Sequence, residues 1–282
     1  MTRDEAVQEI RRSDFAGDSP RVERVLRPQI ELVRSLDPGR VLTPGASRLG
    51  GLPDVPAGFE WPHRGDRPLQ FLAQLDLEAI RQVGPDPSLP SSGSLLFFYD
   101  AVSEPTGFLP EDRDGWRVLL VGADDLQRAR APEDLHVFPA HALTLRARQA
   151  LPDSWDDAFP LPLNTMGDEE ILEWEALRSR IGSTAEVRHH LLGWPDLIQG
   201  DMKLTCQLAS AGVRLRGPMD YRTPQAYALS SGAADWRLLL QLDSDEQLDW
   251  TWATSGRLYF WIRDQDLRSG DFSGTWAVLQ WS

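Results

Sequence analysis

Short segments of alternating or continuous apolar residues recur along this chain, and they predict eight β-strands. The run Leu95–Tyr99 is apolar at nearly every position, which indicates a strand buried on both faces. The eight predicted strands are 29–35, 69–75, 94–100, 116–121, 143–148, 236–243, 256–264 and 275–281.

Helical spacing predicts fewer helices than strands. Arg3 to Arg12 fits a short helix, and Ser19 followed by Pro20 fits the start of a second. Asp76 is a suitable cap for the segment LEAIRQV that follows it.

Two later segments complete the predicted helices. From Thr165 to Ile181, apolar residues recur at helical spacing, with acids in the first turn and arginines in the last. The segment from Asp201 to Ala211 fits a helix ended by Gly212, but its alternating apolar residues also fit a strand. Glycine and proline are dense from Leu36 to Pro68, which predicts loops with fixed backbone angles rather than disorder.

Four motifs of the first half recur in the same order in the second half. LGGLPDVP resembles LLGWPDLI, PLQFLAQLD resembles WRLLLQLD, and SGSLLFFYD resembles SGRLYFWIRD. DGWRVLL resembles SGTWAVLQ. The second copy carries about 25 extra residues between its loop motif and its first strand.

This repeat predicts a β-rich α+β fold that is internally duplicated. Each unit contains a loop motif and three strands, and each alone would leave a strand edge and half a core exposed. We therefore expect one compact domain over residues 1–282. Its units are about 29–150 and 185–282, and a helical connector lies at about 165–181.

The same motifs resemble a known family. SRLGGLPDVPAGFEWP, PLQFLAQLDL and LPSSGSLLFFYD are similar to the first half of the YwqG-like family of bacterial proteins. HHLLGWPDLIQGDM, WRLLLQLDSD and GRLYFWIRDQDL are similar to its second half. The resemblance implies a cytosolic α+β protein with a duplicated β-rich architecture. It implies no reaction, substrate or catalytic residue, because the family is one of unknown function.

Composition narrows the classes of partner. The net charge of −14 disfavours nucleic acid and anionic membranes, whose binders gain affinity by neutralising phosphates. The single cysteine, Cys206, excludes an internal disulfide. No signal-peptide segment and no apolar run of transmembrane length is found, so the expected location is cytoplasmic.

The candidate binding residues lie at equivalent places in the two repeats. Pro-Asp turns and nearby aromatic residues occur in both, and glutamines end two matching strands. Buried glutamines would fasten the neighbouring turns, or they would line a cleft between the repeats and present amides to a ligand. The candidates are Asp54, Trp61, Gln74, Trp194, Asp196, Gln199 and Gln241.

Other chemistry is weakly supported. His189 or His190 with Asp196 and Cys206 is a conceivable metal site, but a structural role is favoured for these histidines and for the cysteine. The carboxylates of Asp243, Asp245 and Asp249 fit a solvated turn better than a calcium loop. Trp250 and Trp252 share one face of a strand, as core residues or as an exposed patch for a partner.

These observations favour a non-enzymatic binding or protein-interaction module. The alternative is an enzyme with a carboxylate or histidine site at the interface of the repeats. Neither cofactor nor metal is predicted, and the expected partner is a protein or a small molecule. An acidic surface favours basic protein partners.

Overall fold

The computed structural model describes residues 1–36, 42–84, 86–162, 164 and 166–282. Its strands are β1 (Arg27–Arg34), β2 (Arg48–Leu49), β3 (Asp54–Val55), β4 (His63–Arg64), β5 (Arg67–Pro68), β6 (Gln70–Asp76), β7 (Ser94–Tyr99), β8 (Trp116–Val121), β9 (Gln127–Arg128), β10 (His141–Ala150), β11 (His190–Leu192), β12 (Trp236–Asp243), β13 (Arg257–Arg263) and β14 (Trp276–Gln280). All eight predicted strands are present within this set.

Two helices precede β1, and the others lie between later strands. They are α1 (Arg3–Arg12), α2 (Ser19–Val22), α3 (Leu77–Val83), α4 (Asp168–Ile181), α5 (Lys203–Ser210), α6 (Pro224–Leu229) and α7 (Asp264–Ser269). Thr2 caps α1 in a capping box with Glu5, and Asp76 caps α3 by accepting the N–H groups of Glu78 and Ala79.

Ten strands form one antiparallel sheet in the order β14-β13-β12-β11-β1-β10-β2-β6-β7-β8. The long pair of β1 and β10 occupies the middle, with Arg27 opposite Ala150 and Arg34 opposite Leu143. Strands of the second half continue the sheet beyond β1, and strands of the first half continue it beyond β10. The first strand of the chain therefore pairs at the centre of the sheet with the last strand of the first half.

The sheet curves so that its two sides share one hydrophobic core. Phe97 of β7 contacts Phe260 of β13 with ring centroids 5.3 Å apart, and Trp116 of β8 contacts Trp276 of β14 at 5.1 Å. Buried residues from both halves belong to this cluster. The structure thus has a large curved antiparallel sheet with several helices, packed as one body.

A second, smaller cluster joins the N-terminal helices to α4. Ile10, Phe15 and Trp174 are buried in it, and the Phe15 and Trp174 rings meet edge to face at 5.3 Å. The connector helix α4 is therefore anchored by its apolar stripe, as the helical spacing predicts.

Several local predictions are refined by the structure. The segment near Asp201 is helical rather than extended, as α5, and α2 begins at Ser19 with Asp18 at the cap position. The predicted start of the connector helix at Thr165 lies outside the described residues, as does part of the loop from Leu36 to Pro68. The helix itself starts at Asp168.

We predict that Trp276→Ala lowers the free energy of unfolding by about 3–5 kcal/mol, the usual cost of removing a fully buried large aromatic side chain. Trp276 is 1% exposed, and its indole donates to the carbonyl of Gly107 at 2.8 Å. Urea denaturation measures the change. The matched control is Trp155→Ala, because Trp155 is 67% exposed and its loss should change stability by about 0.5 kcal/mol or less. Equal effects of the two variants would contradict the described core.

Candidate functional site

The amide of Gln74 in β6 fastens the Pro-Asp turn of the first half to the sheet. Its Oε1 accepts the backbone N–H of Asp54 at 2.7 Å, and its Nε2 donates to Asp54 Oδ2 at 3.1 Å and to the carbonyl of Ala46 at 3.2 Å. Arg48, opposite Gln74 in β2, also donates to Asp54. We call Asp54, Gln74 and Arg48 the first clasp; all three are fully buried.

The second half repeats this arrangement with Gln241 in β12. Its Oε1 accepts the backbone N–H of Asp196 at 2.8 Å, and its Nε2 donates to Asp196 Oδ2 at 3.0 Å and to the carbonyl of Arg188 at 3.2 Å. His190, opposite Gln241 in β11, stands where Arg48 stands in the first clasp. Its Nε2 lies 3.7 Å from Asp196 Oδ2. Asp196, Gln241 and His190 form the second clasp.

Both clasp carboxylates are held as anions. Burial alone would raise the pKa of Asp54, but hydrogen bonds from Arg128 and Arg48 outweigh it and hold that pKa below its usual value. Burial would likewise raise the pKa of Asp196. The contact with His190 and the charges of Arg188 and Arg178 hold it well below the usual range.

The three other predicted residues lie apart from the clasp amides. Trp61 donates its indole N–H to the carbonyl of Leu69 at 2.8 Å and packs on Phe98. Trp194 is buried beneath the guanidinium of Arg27, which lies 3.4 Å from the ring centroid. Gln199 is exposed and donates to the carbonyl of Trp281 at 2.8 Å.

The two clasps are not brought together. They lie on opposite sides of the central β1–β10 pair, and across the described ranges no hydrogen bond, ion pair or ring contact joins one to the other. Each instead fixes its own turn. Ligand binding by these residues stays a prediction.

The histidine and cysteine candidates are engaged in packing. Cys206 is buried, and burial raises the pKa of its thiol well above the ordinary value. His189 accepts the N–H of Asp243 at Nδ1 and faces Asp245 through Nε2 at 3.3 Å. Within the part of the chain that the structure describes, no three His, Cys, Asp or Glu side chains are grouped closely enough to hold a metal ion.

The carboxylates of Asp243, Asp245 and Asp249 each contact a side chain of the protein. Asp243 accepts from Arg257 at 3.1 Å, and Asp249 lies 3.1 Å from His136. Burial would raise the pKa of Asp245, but contacts with His189, Arg34 and the amide of Gln247 lower it to about 2. These carboxylates therefore act as partners of protein cations and amides.

Trp250 and Trp252 belong to the core. Each is 1% exposed, and their ring centroids lie 5.5 Å apart. Trp252 also meets Tyr99 edge to face at 5.9 Å, so this pair joins the two halves of the sheet. The interpretation as an exposed aromatic patch is therefore wrong for both residues.

A cleft of about 850 Å³ opens where the two halves meet. One wall is the loop between β7 and β8, and the other is the segment 199–235 of the second half, which we call the insert. We call the space between them the insert cleft. Its walls include Thr106, Phe108 and Leu109 on one side and Gln199, Leu215 and Tyr221 on the other.

The two walls are fastened to each other beside the cleft. The N–H of Leu215 donates to the carbonyl of Phe108 at 3.0 Å, and Arg214 forms an exposed ion pair with Glu111. The hydroxyls of Tyr221 and Thr205 lie 2.9 Å apart inside the insert. Burial raises the pKa of Tyr221 above its usual value, so this hydroxyl stays neutral and able to donate at neutral pH.

Of the seven predicted residues, Gln199 lines this cleft. Phe108, Arg216, Tyr221 and Arg222 also line it and were not predicted. The available signal is the length of the segment between the loop motif and the strand that follows it, which is about 25 residues greater in the second half than in the first. Their residue types carry no recognisable motif.

A model of the family DUF1963, a domain of unknown function, matches residues 47–281. This chain belongs to the DUF1963 family. Comparison with curated proteins finds no match to it. Within the described ranges of this DUF1963 protein, no helix combines the length and the apolar character needed to span a bilayer.

For this DUF1963 protein we predict that Gln74→Leu and Gln241→Leu each lower the free energy of unfolding by about 1–3 kcal/mol, because each leaves an aspartate N–H, buried at Asp54 and half-buried at Asp196, without an acceptor. Urea denaturation at neutral pH measures both. Gln225→Leu is the control, since Gln225 is an exposed glutamine of α6. Wild-type stability in both clasp variants would show that the amides do not hold the turns.

Proposed function

We propose that this DUF1963 protein is a non-enzymatic binding module and that the insert cleft is its binding surface. The observation that carries the proposal is the cleft of about 850 Å³ between the insert and the β7–β8 loop. It exceeds a second cavity of about 450 Å³ beside β8. Small-molecule sites are typically concave and combine apolar surface with polar groups that orient the ligand. This cleft combines apolar side chains such as Phe108 and Leu215 with polar ones such as Gln199.

The residues that line the cleft are suited to contact a ligand. Phe108, Leu109 and Leu215 are apolar and partly or wholly withdrawn from water, whereas Gln199 is exposed at the rim. The insert also contains the roughly 25 residues by which the second half exceeds the first between its loop motif and its first strand. Loops added to a rigid scaffold are frequent carriers of binding function.

The alternative is an enzyme with a carboxylate or histidine site between the repeats. Its best candidates are Asp196 and His190. Asp196 is held as an anion by Arg188 and Arg178, and its Oδ2 accepts the amide of Gln241. A general acid or base must gain and lose a proton near the working pH, so these contacts favour the binding module.

We also infer that the fold arose by duplication of one unit. Three correspondences support this: the two clasps, the strand order that runs outward alike from the central pair, and a β-bulge at matching places. The bulges lie between Phe71 and Ala73 in β6 and between Leu238 and Leu240 in β12. Consecutive left-handed residues also match, Gly50–Gly51 and Leu192–Gly193.

The strand order further suggests that the two units exchange their first strands. In this view β1 begins the first unit, and β10 begins the second instead of ending the first as the bounds 29–150 have it. Even so, β1 pairs with β11 and β10 pairs with β2. Each unit then supplies the strand that completes the other. This reciprocal pairing would explain why the two units form one body rather than two domains on a linker.

Within DUF1963, we propose that the chain belongs with the YwqG-like proteins of bacteria that its motifs resemble. A net charge of −14 supports a protein or small-molecule partner over nucleic acid. A single, buried cysteine accords with the cytoplasm.

A thermal-shift screen tests the proposed cleft. We expect at least one compound among amino acids, N-acetyl amino acids, sugars and nucleotides to raise the melting temperature, because a ligand that binds the folded form stabilises it. Gln199→Trp should abolish that rise by filling the cleft from its rim. The control Gln127→Trp places the same bulk on an exposed glutamine of β9 and should keep the rise.

Two results would count against the proposal. A rise that persists in Gln199→Trp would place the ligand outside the insert cleft. A rise abolished by both tryptophan variants would point to a general effect of the substitution rather than to a site.

A further inference from the structure

Two arginines that line the insert cleft have no partner within the described residues. Arg216 and Arg222 both line it, and neither guanidinium forms an ion pair, a hydrogen bond or a ring contact there. Most arginines of this acidic chain are paired, as Arg214 is with Glu111 and Arg237 with Asp86. Two free cations in one cleft therefore stand out against a net charge of −14.

The acidic residue that lines the cleft and the one that lies between the two arginines in the chain are engaged elsewhere. Asp201 also lines the cleft, but it forms an ion pair with Lys203 at 2.6 Å. Asp220 accepts the backbone N–H groups of Arg216 and Gly217 at 2.7 and 3.0 Å. The positive charge of the two guanidinium groups is thus left for a ligand.

Apolar and aromatic surface lies beside these charges. Phe108, Leu109 and Leu215 line the same space, together with the ring of Tyr221. Guanidinium groups bind carboxylate and phosphate oxygens through paired N–H donors, and they do so with more geometric specificity than an ammonium group. The cleft thus offers an anion subsite and an apolar subsite in one volume.

The geometry points to an organic anion as the ligand of the insert cleft: a carboxylate or phosphate joined to an aromatic or branched aliphatic body. Arg216 and Arg222 hold the anionic group, and the apolar wall covers the body. This inference rests on the proposed function of the cleft and adds the chemical class of its ligand.

Isothermal titration calorimetry with three matched compounds tests the inference on the full chain. N-acetyl-phenylalanine carries a carboxylate and its amide is the matched neutral compound, whereas phenyl phosphate presents a phosphate on the same aromatic ring. We expect at least one anion to bind about tenfold more tightly than the amide, the effect of one good hydrogen bond to a charged group. The double variant Arg216→Gln/Arg222→Gln should remove that preference. Which of the two anions the wild-type protein prefers to the amide shows whether the cleft binds a carboxylate or a phosphate.

The control is Arg12→Gln/Arg24→Gln. These two arginines are also exposed and unpaired in the described chain, and the double variant changes the net charge equally. It should keep the preference for the anion. An equal loss in both double variants would assign the effect to overall charge and overturn the inference.

Two further outcomes separate the inference from the proposed function. Equal affinity of wild type for amide and anions overturns the anion subsite but leaves the cleft as a binding site. Failure of all three compounds to bind overturns the inference as well, and the tryptophan variants in the thermal-shift screen then decide the proposed function on their own.

Discussion

This structure depends on one constraint. The backbone N–H and the carboxylate of two Pro-Asp turns need hydrogen-bond partners, and glutamine amides supply them. A buried backbone N–H without an acceptor is costly, and each turn also buries a carboxylate. Gln74 and Gln241 meet both needs by accepting the aspartate N–H and donating to its carboxylate. The two clasps then differ in the residue that lies opposite the glutamine, Arg48 in one and His190 in the other. The turns are thereby fixed to the sheet that carries the rest of the molecule.

In a sheet stabilised in this way, the residues of the strands and clasps contact one another, and the proposed binding role falls to the insert. The strands, clasps and core tryptophans are engaged with one another across the described residues, and the central β1–β10 pair joins the halves. The insert departs from that regularity and forms one wall of the cleft. The proposed binding role therefore falls on the segment that distinguishes the two halves, while the features they share serve the fold.

The sequence was informative where local pattern and local structure coincide. All eight strands followed from apolar periodicity, and Asp76 was identified as the cap of α3. The matching positions of Gln74 and Gln241 were visible, and fastening the turns was one of their two interpretations. The pairing of β1 with β10 depends on contacts between distant segments, which periodicity does not encode. The cleft arises where two separate segments of the chain meet. From the sequence alone, Arg216 and Arg222 would therefore be interpreted as solvated surface charges.

Amide hydrogen exchange of the full chain, with and without the anion that binds more tightly in the calorimetric comparison, tests the central claim most directly. The account predicts that the amides of Asp54 and Asp196 exchange as slowly as those of β6 and β12, since each donates to a glutamine of one of those strands. It also predicts that the compound slows exchange within 106–109 and 199–222 alone. Fast exchange at both aspartates, or protection of the clasps by the compound in place of the cleft, would contradict it.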